Sequence, residues 1–210
     1  MVAIRHRETG DVLLDLEGDL ATHSLAGAKL AGASFSGMNL AGLDFHNSDL
    51  RQVDFSQADL SGANLQSAVM IGAVFAGADL SGANLTDVVA GDTKFFGAKL
   101  QEATCRYGKF ADADFSEADL TSADLSMSDL RANFNESRMS KADLRGANLS
   151  GANLSGADLS QANLYDANIA DAKLARVNME GAIGPHGQKV NARAQPTRKP
   201  KRGWWQFWGE

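Results

Sequence analysis

The chain has 210 residues, 44% of them hydrophobic, and carries 20 Lys and Arg against 26 Asp and Glu, a formal net charge of −6. This length has room for one or at most two domains, with enough apolar material for a core. One cysteine, Cys105, excludes a disulfide framework within the chain.

The first residues, "MVAIRHRETG", are charged where a secretory signal would be apolar. No stretch approaches the ~18 consecutive apolar residues of a membrane span, so a soluble, cytoplasmic protein is expected. Residues 2–16 read as two short strands around the turn Glu8-Thr9-Gly10-Asp11. Residues 1–19 are therefore expected to cap whatever follows, since an uncovered sheet edge invites aggregation.

From Leu20 a five-residue period begins. Every fifth position from 20 to 130 is apolar; the count then slips by one and resumes from Phe134 to Met179, giving 33 consecutive pentapeptides. Two residues before each of these centres the chain places Ala in 21 of the 33 cases, and the residue between is usually Asp or Asn. Cys105 falls on a centre and reads as a small buried hydrophobe.

A helix cannot use this period, because a five-residue step rotates each centre by about 140° and scatters the side chains around the axis. A continuous strand would throw successive centres to opposite faces. Only a turn in every repeat keeps them together, and the Gly and Ser after the centres, as in Leu80-Ser81-Gly82, are turn formers. Short extended segments that always bend the same way wind into a coil with Leu and Ala inside.

The aromatic residues count the sides. Phe35, Phe55, Phe75, Phe95 and Phe115 are spaced by twenty, and Phe134 follows after nineteen. Twenty residues make four pentapeptides per coil, and the six rings are expected to stack along one inner edge. Since the column survives the missing residue, the spacing predicts a tightened corner around Arg131 to Asn133 with no change of face. About eight coils follow, and at ~4.8 Å per stacked strand a rod roughly 40 Å long.

On these repeats, over about residues 20–183, the sequence resembles the pentapeptide repeat family. The resemblance implies an all-β fold, a right-handed quadrilateral β-helix, with Asp and Asn on the outside. The family includes gyrase-binding proteins that imitate DNA and protect against quinolones, so the resemblance makes DNA mimicry an alternative for the acidic rod. No C-terminal helical dimerisation module is recognisable here, and no long loop interrupts the repeats.

The repeats stop at "GAIGPHG", where Pro185 has no amide to give a ladder. Residues 184–210 read as a basic, Trp-rich tail with six basic residues against one acidic, leaving a body of net charge −11. Trp204, Trp205, Phe207 and Trp208 beside Lys199, Lys201 and Arg202 suit an anionic membrane interface. They equally suit a partner's groove, or a fold-back over the open final coil.

No catalytic, cofactor or metal site is expected. Ser falls at outward or turn positions, and His6, His23, His46 and His186 lack metal-ligand spacing. A narrow rod filled by Leu, Phe and Ala leaves no cavity where reacting groups converge.

Two surface features remain. Asp19, Asp59, Asp79, Asp119 and Asp158 form an acidic column interrupted by Asn39, Lys99 and Arg138. Against it stands an apolar break: Val69, Val74 and Val89 replace the outward Asp or Asn, and Ile71 and Phe96 directly follow centres. One exposed patch is expected there, with Tyr107 at its margin, of the kind that marks a partner site.

The expectation is thus a protein-binding scaffold, with a DNA-mimicking modulator of gyrase or another topoisomerase as the alternative and a peripherally membrane-tethered scaffold third. A homodimer is compatible with the sequence; direct nucleic-acid binding is not expected.

Overall fold

A computed structural model describes residues 2–18, 20 and 23–191. Two regular strands stand at the start: β1, Val2–Arg5, pairs antiparallel with β2, Val12–Leu16. The turn between them is held by His6 N–H donating to Asp11 at 2.9 Å and Gly10 N–H donating to His6 at 3.0 Å.

From Lys29 to Ile183 the coil is built from single-residue parallel pairs. Lys29 pairs with Asp49, Asp49 with Val69 and Val69 with Val89, each step of twenty residues, and the same step recurs on three other sides. We number the sides by their centres: side 1 runs through Leu65, Leu85 and Cys105; side 2 through Met70, Ala90 and Phe110; side 3 through Phe75, Phe95 and Phe115; side 4 through Leu80, Leu100 and Leu120. The ladder reaches Asn163 paired with Ile183.

The local cause is a turn at each corner. The centre's carbonyl accepts from the amide three residues on, as in Ala83 N–H to Leu80 at 3.0 Å. The third turn residue takes a left-handed backbone, φ 65° at Gly82 and 59° at Asp87, the pattern of a type II turn. Glycine adopts this without a Cβ clash.

The outward Asp or Asn has a structural task of its own. Its carboxylate or amide oxygen accepts the amide two residues later, across the corner: Ser61 N–H to Asp59 at 3.0 Å, Ser81 N–H to Asp79 at 3.0 Å, Ser150 N–H to Asn148 at 3.2 Å. These Asx turns satisfy donors that no backbone carbonyl reaches. Between coils the Asn amides continue the ladder, for example Asn153 Nδ2 donating to Asn133 at 3.0 Å.

Inside, the centres and the Ala positions form one continuous core. Phe35, Phe55, Phe75, Phe95, Phe115 and Phe134 stack as one column, with centroid distances of 4.6–5.2 Å and interplanar angles of 3–17°. Phe45 from side 1 and Phe110 from side 2 meet the column edge-on. Phe110 also explains Gly108, which stands where Ala is usual: a methyl group there would lie 2.2 Å from Phe110 Cε2.

The nineteen-residue step is absorbed at the corner between sides 2 and 3. Asp114 pairs with Asn133, and the following pairs resume in phase through Asp119–Arg138 and Asp129–Asn148. The four-residue turn is replaced by a three-residue one, in which Ala132 N–H donates to Leu130 at 2.8 Å. Phe115 and Phe134 still stack at 5.0 Å and 3°.

Two expectations need amending. Ser48, Ser128 and Ser137 are not outward: they occupy the inner Ala position and are buried, as is Thr93. Each hydroxyl donates to a backbone carbonyl, Ser48 to Phe45, Ser137 to Phe134, Ser128 to Cys105 and Thr93 to Met70, so none is left unsatisfied in the core. Residues 184–191, assigned by sequence to the tail, fold back instead. Lys189 pairs antiparallel with Ile183, and Pro185 contributes its carbonyl, which accepts from Asp166 N–H at 2.8 Å.

The hairpin does meet the first coil: His6 pairs with Ala33, Arg7 N–H donates to Gly32 at 2.8 Å, and Ser34 N–H donates to Arg5 at 3.1 Å. Ile4 is buried with the core.

Candidate interaction surface

Side 2 of the middle coils is where the outward polar rule fails. Val69 and Val89 are paired neighbours on it, both half-buried, with Asp49 below and Lys109 above. Ile71 stands exposed at the corner toward side 3, and Val74 lies just past that corner. Tyr107 stands exposed at the opposite corner, toward side 1. Phe96 is exposed but set apart, at the corner between sides 3 and 4. The residues singled out in the sequence therefore gather around side 2, except Phe96.

Val cannot accept a hydrogen bond. The corner amides of Ile71, Ala76 and Gly91 thus lack the side-chain acceptor that Asp59, Asp79 or Asn148 supplies elsewhere, a forgone contribution of about 0.5–1.5 kcal/mol each.

The structure adds residues that the sequence reading passed over. Met127 sits directly above Tyr107, whose amide points to the carbonyl of Ser126, and Tyr165 lies two coils further on at the same corner. The three are 46%, 56% and 55% exposed. Tyr107 and Met127 hold φ of 59° and 61°, a left-handed backbone that costs a side-chain-bearing residue about 1–2 kcal/mol. Gly146 takes this place one coil on, and the Met127 sulfur fills the space where a Cβ would be, 2.5 Å away. Spacing by twenty from Tyr107 would have found Met127, had the corner columns been read like the Phe column.

Arginines flank side 2 at both of its corners. Arg106 packs over the Tyr107 ring with its guanidinium carbon 5.3 Å from the centroid, and its Nε lies 3.7 Å from Asp124. Arg145 grips Asp143, Arg131 grips Asp129 and Arg51 grips Asp49, each through Nε and Nη2. These guanidinium hydrogen bonds hold the three carboxyls below the usual carboxylate range.

The acidic column belongs to side 4. Asp59, Asp79, Asp119 and Asp158 share it with Asn39, Lys99 and Arg138; Asp19 lies outside the described residues. Lys99 Nζ donates to Asp79 at 3.2 Å. Burial raises the Asp79 pKa, but hydrogen bonds from Ser81 and Lys99 outweigh this and keep it low. Cys105 is fully buried, and burial with the nearby Asp124 charge pushes its thiol up to about 12. Among the described residues no group of His, Cys, Asp and Glu could hold a metal, and no helix is long and apolar enough to cross a membrane. Trp204, Trp205, Phe207, Trp208, Lys199, Lys201 and Arg202 lie outside the described residues.

Comparison with known proteins agrees with the coil. The family model for pentapeptide repeats matches residues 24–57, 54–89, 98–132 and 130–164. This chain belongs to the pentapeptide repeat family. Among solved structures, this family member is similar to a trypsin-treated form of QnrB1, a plasmid-mediated fluoroquinolone resistance protein, at 22% identity and a TM-score of 0.50, over 75% of this chain and 82% of that one. It is also similar to HetL, involved in heterocyst differentiation regulation in the cyanobacterium Nostoc, at 27% identity and a TM-score of 0.40, over 81% and 95% of the two chains. A third is a thylakoid lumen protein of Arabidopsis thaliana, at 27% identity and a TM-score of 0.31, over 60% and 70%. No curated protein matches this pentapeptide repeat chain.

Proposed function

We propose that this pentapeptide repeat protein is a right-handed rod of about eight coils that acts in the cytoplasm without catalysis, as a scaffold that binds a protein partner through side 2 and its Tyr107–Met127 corner. The single observation that carries this reading is the pair of bulky side chains, Tyr107 and Met127, held exposed one above the other at the edge of the apolar side 2. The surface has the anatomy of a binding site: an apolar centre of Val69, Ile71 and Val89, aromatic and Met side chains beside it, and Arg at the rim. The filled core supports a role without substrate chemistry.

The test compares the wild type with a Tyr107→Ser, Met127→Ser, Tyr165→Ser variant and a Val69→Asp, Val89→Asp variant. Equal recovery of every partner by all three proteins would sink the proposal.

A second reading, imitation of DNA toward a gyrase-like enzyme, is favoured by the −11 net charge of residues 1–183. Against it stand the Asx turns, which give the carboxylates a structural reason to be present, and the Lys and Arg that interrupt their column. Likeness to QnrB1 at 22% identity supports the fold alone. A DNA mimic would lose its target steeply with rising salt, whereas an apolar contact would not.

A further inference from the structure

The last coil is covered only in part. The return of residues 184–191 covers side 1 and the corner before it, where Val190 N–H donates to Ala182 at 2.8 Å and Gly181 N–H donates to Val190 at 2.9 Å, while on side 4 the Met179 amide finds no backbone acceptor among the described residues. On sides 2 and 3 the amides of Ile169, Asp171, Leu174 and Arg176 find no backbone acceptor among the described residues. Their counterparts one coil below all do: Leu149 donates to Asn168 at 2.7 Å, Gly151 to Ala170 at 2.8 Å, Leu154 to Lys173 at 2.9 Å and Gly156 to Ala175 at 2.8 Å. The core is uncovered at the same place. Ile169, Ala172, Leu174 and Val177 are only partly buried, whereas Leu149, Ala152 and Leu154 beneath them are buried.

Such an edge, apolar in its middle and rimmed by amides without a backbone partner among the described residues, is a template for one more strand. We propose that the segment Gly203–Trp208 of this same chain adds as that strand across sides 2 and 3, laying Trp205 and Phe207 on Ile169 and Leu174.

Three observations select this occupant. Asn191, where the described chain ends, follows directly on Val190, which is already bonded to the final coil. The twelve residues from 192 to 203 reach about 40 Å when extended, and a five-residue side spans at most about 17 Å, so the segment arrives with slack and at the high effective concentration of an intramolecular ligand.

The second is composition. All three Trp of the chain are in this segment, and in a strand Trp205 and Phe207 share one face. Each ring buries about 150–250 Å². Charge does not select the occupant, since the rim carries Asp166, Asp171 and Glu180 but also Lys173 and Arg176, all exposed; the apolar floor does.

The third is a polar vacancy in the return itself. Gln188 Oε1 is buried with no donor among the described residues, and an indole N–H or a strand amide can supply one.

Because the only indoles lie in the segment, tryptophan fluorescence reports on it alone. The experiment uses the full chain at a concentration where it is monomeric, without lipid, and measures acrylamide quenching and amide hydrogen exchange. The comparisons are a chain ending at Asn191, a Trp205→Ser, Phe207→Ser variant, and the free peptide of residues 192–210.

The indoles of the full chain should be quenched severalfold more slowly than those of the peptide. The amides of Ile169, Asp171, Leu174 and Arg176 should exchange about 10-fold or more faster in both altered chains, while Leu149 and Leu154 keep their rates and certify the fold. Equal exchange with and without the segment overturns the proposal. So does shielding of the indoles only after phosphatidylserine vesicles are added, which assigns the segment to a membrane, or only at concentrations where the chain dimerises, which assigns it to a second copy.

Discussion

Returning the missing residue to the tightened corner tests the coil geometry residue by residue. A glycine inserted between Arg131 and Ala132 converts "LRANF" to "LRGANF", whose first five residues the chain already uses at 144–148. It restores a four-residue turn with Gly at the left-handed position, where it carries no Cβ penalty. It also returns a donor to the Ser150 carbonyl, which has none among the described residues, although Ala170 and Arg131, its equivalents in the neighbouring coils, accept at 2.8 and 3.1 Å.

One added backbone hydrogen bond contributes about 0.5–1.5 kcal/mol, and ordering one more residue costs about 1–2 kcal/mol. The insertion should therefore be close to neutral, within about 1 kcal/mol by urea unfolding. The same glycine inserted inside a side, between Asp158 and Leu159, reverses the inward and outward faces of that strand and breaks the Asp158–Asn178 pairing. That insertion should destabilise by more than about 3 kcal/mol or detach the final coils, in line with the cost of losing several buried side chains. Equal costs for the two insertions would refute the account of how the corner absorbs the deletion.

Phe75→Ala removes a ring stacked at 4.9 and 5.0 Å on its neighbours and should cost about 3–5 kcal/mol, measured by urea unfolding, with hydrogen exchange loosened most in the adjoining coils. The Cys105 thiol, pushed up to about 12, should react with a thiol reagent at pH 8 only as fast as the protein unfolds; fast reaction of the native chain contradicts its burial. Asp49, Asp129 and Asp143 have folded pKa values held below 3.8 by their arginines. Their contribution is present above the unfolded value and lost as pH falls through the folded one, so changing all three to Asn should flatten the stability profile below about pH 4 and leave the Asx turns standing.

The coil was legible because periodicity is arithmetic: a column of Phe at steps of twenty admits only four sides, and a step of nineteen that keeps the column demands a corner made tighter. Side-chain satisfaction was less legible. Ser48 and Ser128 read as turn residues by composition, yet they stand in the inner wall because each hydroxyl meets a carbonyl, for Ser128 one that lies 23 residues earlier at Cys105. The return at 184–191 was hidden because Pro185 was judged by the amide it lacks, whereas its carbonyl is what the coil uses. Met127 and Tyr165 stand at corner positions, where the repeat dictates no residue type, so neither breaks a pattern that composition can show.

The most direct test of the proposed function is a side-by-side capture of partners at low and high salt. It would use the wild type, the Tyr107, Met127 and Tyr165 triple variant, and a variant carrying Asn at Asp59, Asp79, Asp119 and Asp158. Binding that survives salt and the acidic-column changes but is lost with the triple variant is the predicted result; binding that survives the triple variant but vanishes with salt and with the column would assign the function to the acidic side instead.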